Sequence, residues 1–110
     1  MNNPNTDAIR ALNDAFRRSL TGGTLMLTAG IVALGPEAQT RIIAAVQAFD
    51  AFTSDNDPYG EHDFGSLEIE GERIFFKIDY YDLTRAMHSE DPADPSKTER
   101  VLTIMLASEY

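Results

Sequence analysis

The sequence predicts an α+β fold: one domain across residues 1–110, with two helices on one face of a mainly antiparallel sheet of about four strands, in the order α-β-α-β-β-β. Three observations predict it. Apolar residues of helical period run from Thr6 to Leu20, an alternating segment, "SLEIEGERIFFKIDYY", surrounds a glycine, and a β-branched run, "RVLTIMLA", occupies 100–107. A chain of 110 residues can bury roughly two-thirds of its unfolded surface, so a single core is expected. Hydrophobic residues at 43% and charged residues at 25% are ordinary globular values, which argues against wholesale disorder.

Each element has its own signal. Residues 1–5, "MNNPN", read as a disordered tail. Ile9, Leu12, Phe16 and Leu20 then share one face of a helix, with Thr6 at its N-cap, Asp7 at its positive end, and Arg17 and Arg18 at its negative end. Gly22 and Gly23 stop it. "TLMLT" at 24–28 reads as a short buried strand. Gly35-Pro36-Glu37 opens a second helix, with Ile42, Val46 and Phe49 as its buried stripe and an end near Phe52. In the alternating segment, a two-residue turn at Gly71-Glu72 sets Leu67 opposite Phe76 and Ile69 opposite Ile74 on one face. Glu68 then meets Phe75 and Glu70 meets Arg73 on the other. Residues 82–99, with two Asp-Pro pairs, read as an irregular connection. "RVLTIMLA" is apolar on both faces and suits a central strand, but Val101, Leu102 and Met105 also fit a helix starting at Thr98, and both assignments stay open.

Composition excludes several classes. Without cysteine there is no disulfide framework, no thiolate zinc site and no cysteine nucleophile. The longest apolar run, "LMLTAGIVALG", falls well short of the roughly 20 residues of a membrane span. The amino terminus also lacks the basic-then-apolar pattern of a secretory signal, so a cytoplasmic location without a membrane partner is expected. The net charge of −9 is unevenly placed: residues 1–49 carry four bases against three acids, whereas residues 50–99 carry fourteen acids against four bases. Such a surface repels phosphate backbones, which disfavours direct nucleic-acid binding and favours a basic protein surface as partner.

The stretch "DNDPYGEHDFG" at 55–65 concentrates the unusual chemistry. Read from Asp55, oxygen donors at alternate positions and Gly60 at the sixth follow the start of a calcium loop, but the closing glutamate position is Ser66. Asp55, Asp57, Glu61, His62 and Asp63 are therefore the candidate ligands for calcium, magnesium or manganese, although no residue pattern requires a cofactor. His62 could carry a proton beside a carboxylate, but Ser54, Ser66 and Ser89 stand in no nucleophile setting, and no catalytic residue is assigned. A purely structural loop explains the turn formers Asn56, Pro58 and Gly60 and the core-edge rings Tyr59 and Phe64. It leaves unexplained four carboxylates within nine residues, whose repulsion costs stability unless a cation or a basic surface offsets it.

"NDPYGEHDFG", "KIDYYD" and the final "RVLTIMLASEY" resemble a small bacterial family catalogued as domain of unknown function 3768, over nearly the whole chain from "IRALNDAFR" onward. The resemblance implies a cytoplasmic protein of the kind found in alphaproteobacteria, often among accessory genes of plasmids and integrated elements, with no activity or catalytic residue attached to it. The functional expectation is a non-enzymatic interaction protein whose acidic face, carrying Glu61, Asp63, Glu68, Glu70 and Glu72, engages a basic partner. The alternative is a metal-dependent site or hydrolase within 55–63. Geometry separates the two, since ligands converge on a point and an electrostatic surface spreads its charges.

Overall fold

In the computed structural model, which describes residues 4–110, helix α1 spans Pro4–Ser19. Residues 1–3 of the expected tail lie outside the described residues, and Pro4 and Asn5 open the helix. The buried face of α1 is not purely apolar: alongside Ile9 and Phe16, Asn13 and Arg17 are fully buried. Strand β1 follows at Gly23–Leu27, then a four-residue helix α2, Ala29–Val32, which the periodicity did not predict. Helix α3 is Pro36–Ala48, with Pro36 in the first turn as expected.

Helix α3 ends four residues before Phe52, a correction with a physical cause. At Phe49 the chain turns extended (φ −62°, ψ 130°), so that the Phe49 and Phe52 rings pack edge-on to Phe76 with centroids 5.2 and 6.4 Å away. The buried Arg17 guanidinium takes over the carbonyls at this helix end, donating to Val46 O at 3.1 Å and Phe49 O at 2.9 Å.

Strands β2 (Phe64–Ile69), β3 (Glu72–Tyr81) and β4 (Glu99–Leu106) complete a mixed sheet of order β1-β4-β3-β2. The β2-β3 and β3-β4 pairs are antiparallel and β1 runs parallel to β4. Of the two readings of 100–107, the strand is the one adopted; β4 pairs on both sides, and its Val101, Leu102, Ile104 and Met105 are all buried.

The hairpin register corrects the expected one. The turn is Glu70-Gly71, not Gly71-Glu72, with φ of 59° and 75°, so Leu67 stands opposite Ile74, Ile69 opposite Glu72, and Phe76 opposite Gly65. The faces survive the shift because it moves the pairing by two residues. Gly65 is what admits Phe76: a Cβ there would lie 2.2 Å from the Phe76 ring. The alternate side chains Ile74, Phe76, Ile78, Leu102 and Ile104 form one core with Ile9, Phe16, Ile31, Ile42 and Val46 of the three helices. The opposite face carries Phe64, Phe75, Lys77 and Asp79, with the carboxy-terminal Tyr110 against Phe64 and Phe75.

Candidate functional site

The segment between α3 and β2 is a tightly bonded loop. Asn56 folds it on itself, its Oδ1 accepting from Thr53 N at 2.8 Å and its Nδ2 donating to Ala51 O at 3.0 Å. Asp57 O accepts from Gly60 N at 3.1 Å, with Gly60 at φ 71° as the turn requires. Helix α1 holds the far side: Arg10 donates to Gly60 O and Asn13 to Glu61 O, both at 2.9 Å.

Two polar networks lie under this loop. In the first, His62 Nδ1 is 2.9 and 3.1 Å from the two oxygens of Asp14, and Nε2 is 3.5 Å from Asp57 Oδ2. The imidazole stacks on Phe52 at 3.8 Å and Arg17 bonds the same Asp14 at 3.0 Å. In the second, Asn13 Nδ2 donates to the Tyr80 hydroxyl at 2.7 Å, which donates to Glu61 Oε1 at 2.8 Å, and Arg100 donates to Asn13 Oδ1 at 2.8 Å. Burial pushes the Tyr80 hydroxyl well above its ordinary pKa and draws the Arg100 guanidinium below its own. Both networks are internally satisfied and tie the loop to α1 and the sheet.

Acidic charge in excess of its internal cations gathers beside these networks. A hollow of about 320 Å³ opens between the loop and the helix-free face of the sheet, lined by Asp57, Tyr59, Asp63, Lys77, Asp79 and Tyr110, among others. A smaller hollow of about 220 Å³ adjoins it, sharing Asp63, Ile78 and Asp79 and ending at Tyr81 and His88. Burial first, then the neighbouring Glu61, Asp57 and Asp79 carboxylates, raises the Asp63 carboxyl above its ordinary pKa. Lys77 is the resident cation; its ammonium is held by Asp79 at 3.0 Å, and that bond keeps it above the usual lysine range. Tyr59 and Tyr110 stand 81% and 72% exposed at this hollow.

The predicted residues are thus distributed rather than gathered. Of the candidate metal ligands, Asp57 turns to His62, Glu61 to Tyr80, Asp63 lines the hollow and Asp55 is exposed in the loop. Among the described residues no group of three or more His, Cys, Asp or Glu side chains is arranged to hold a metal ion. Of the expected interaction residues, Glu68 pairs with Arg73 at 3.0 Å and Glu70 with Arg41, so both charges are offset internally. Glu72 stands opposite Ile69, on the core side of the sheet rather than beside Glu68. Asp79, Lys77 and Tyr110 of the hollow were not singled out from the sequence. They lie well away from the loop along the chain; the family-like motifs contain all three, and the charge count over 50–99 the first two, but neither signal brings them to the loop.

Among the described residues no helix is long and apolar enough to cross a membrane. Comparison with known families matches residues 27–109 to the profile described as "Protein of unknown function (DUF3768)". Neither the search of curated proteins nor that of solved structures gave a match.

Proposed function

The chain belongs to the DUF3768 family of proteins of unknown function, and from its charge map and geometry we propose that it is a non-enzymatic interaction protein presenting an acidic face to a basic partner protein. One observation carries the reading: fourteen acids against four bases over residues 50–99, with Asp63, which no ion pair reaches among the described residues, lining an open hollow beside the paired Asp57 and Asp79. Opposite charge steers association and sets its rate more than its final affinity. The loop's hydrogen bonds to α1 add preorganisation, since a surface already ordered loses little entropy on binding.

The test is capture from a bacterial lysate at low salt followed by elution with salt, comparing the wild type with Asp63→Asn/Asp79→Asn. The wild type should retain proteins more basic than the lysate as a whole, release them as salt rises, and lose most of them on double substitution. Glu68→Gln/Glu70→Gln should lose fewer, because Arg73 and Arg41 offset both of those charges, whereas in the other pair only Asp79 has an internal cation, Lys77, and Asp63 has none among the described residues. Retained proteins no more basic than the lysate, or an unchanged set with the Asp63/Asp79 variant, would overturn the reading.

A further inference from the structure

We propose that the hollow between the loop and the helix-free sheet face receives one arginine side chain of the basic partner, with Tyr59 and Tyr110 against its guanidinium plane and Asp63 as its ion-pair acceptor. The proposal deepens the acidic-face reading and rests on it.

Three features of the hollow argue for this occupant. The first is its walls: two tyrosines at 81% and 72% exposure line it, Tyr110 braced against Phe64 and Phe75 and Tyr59 with no ring contact among the described residues. Tyrosine at the mouth of a polar hollow is a characteristic anchor of interfaces, and its ring face attracts a cation. The second is the charge balance. Asp57 is engaged by His62 and Asp79 by Lys77, whereas among the described residues no ion pair reaches Asp63, which instead faces the like charges of Glu61, Asp57 and Asp79. The third is Lys77 itself. It lines the hollow and pairs with Asp79, so the resident cation is taken up there and leaves Asp63 without one.

Arginine fits better than lysine at that position. A guanidinium is planar, stacks on aromatic rings and sheds water more readily than a compact ammonium. The volume of about 320 Å³ lies at the small end of ligand sites, enough for a side chain and too small for a folded element. The adjoining hollow toward Tyr81 and His88 gives the partner's flanking residues a continuous path across Asp63 and Asp79.

The experiment titrates the ¹⁵N-labelled protein with the acetylated, amidated pentapeptide Gly-Gly-Arg-Gly-Gly and with its citrulline counterpart, which keeps the shape and removes the charge. Nona-arginine serves as a general polycation. The arginine peptide should shift the resonances of Tyr59, Asp63, Lys77 and Tyr110, the citrulline peptide should not, and Tyr59→Ala should weaken arginine binding several-fold with the fold unchanged by circular dichroism. Asp63→Asn should weaken it further while raising the melting temperature, a combination that a purely structural aspartate would not give. If nona-arginine binds but the shifts scatter over all acidic residues, or Tyr59→Ala changes nothing, the hollow is not the site and the acidic-face reading stands without it. If nona-arginine does not bind even at low salt, both fall.

Discussion

Arg17 shows how far a single residue can be from its local reading. By sequence it suits the negative end of its own helix, but its guanidinium is fully buried, donates to two carbonyls at the end of α3, and lies 5.2 Å from the Phe52 ring centroid. No spacing rule finds a partner 29 to 32 positions away. Arg17→Ala would leave Asp14 short of a cation and two helix-end carbonyls without their donor, and should lower the unfolding free energy in urea by about 3–5 kcal/mol. A loss below about 1 kcal/mol would show that the carbonyls find other donors. Asp63 makes the opposite prediction. Its folded pKa is raised, so the native state holds its proton more tightly than the unfolded state does, and its contribution to stability is lost as pH rises from the ordinary carboxylate range through the raised value. Asp63→Asn should therefore stabilise the protein at neutral pH and should bring little or no gain below that range, as read from melting temperatures of the two proteins across pH.

The hairpin shows what a pattern can and cannot fix at the scale of an element. Alternation assigns faces, and the assigned faces are the observed ones, with Ile74 and Phe76 fully buried and Arg73 exposed. Alternation is blind to a slip of two, and a glycine in a two-residue turn suits either central position, so Gly71 alone could not choose between Gly71-Glu72 and Glu70-Gly71. Gly65 held the missing information, because the Phe76 ring needs a partner without a side chain. Gly71→Ala, at φ 75° with open space around its Cβ, should cost about 1–2 kcal/mol through backbone strain alone. Phe76→Ala should cost about 3–5 kcal/mol and Lys77→Ala little, by chemical denaturation. Equal losses at 76 and 77 would mean that the faces are wrong. The carboxy-terminal end of α3 and the short α2 were illegible for a related reason: both depend on tertiary partners, the Phe76 ring and Arg17 for the first and the packing of Ile31 in the common core for the second.

At the scale of the whole molecule, the α+β class and the helix-covered sheet were legible because they follow from period and composition, which need no knowledge of partners. The charge split was equally legible, since it is a count. Where the charges act was not. Folding offsets Glu68 and Glu70 with arginines and leaves the excess around Asp63, so an acidic row expected along the hairpin becomes an acidic hollow beside the loop. The most direct test of that account is the association rate of fluorescent nona-arginine with the wild type and with Asp63→Asn/Asp79→Asn, followed by stopped flow from low to physiological ionic strength. The account predicts a rate that falls about tenfold or more over that range for the wild type, and a slower rate with a weaker salt dependence for the variant. A wild-type rate indifferent to salt, or a variant that matches the wild type at every ionic strength, would contradict it.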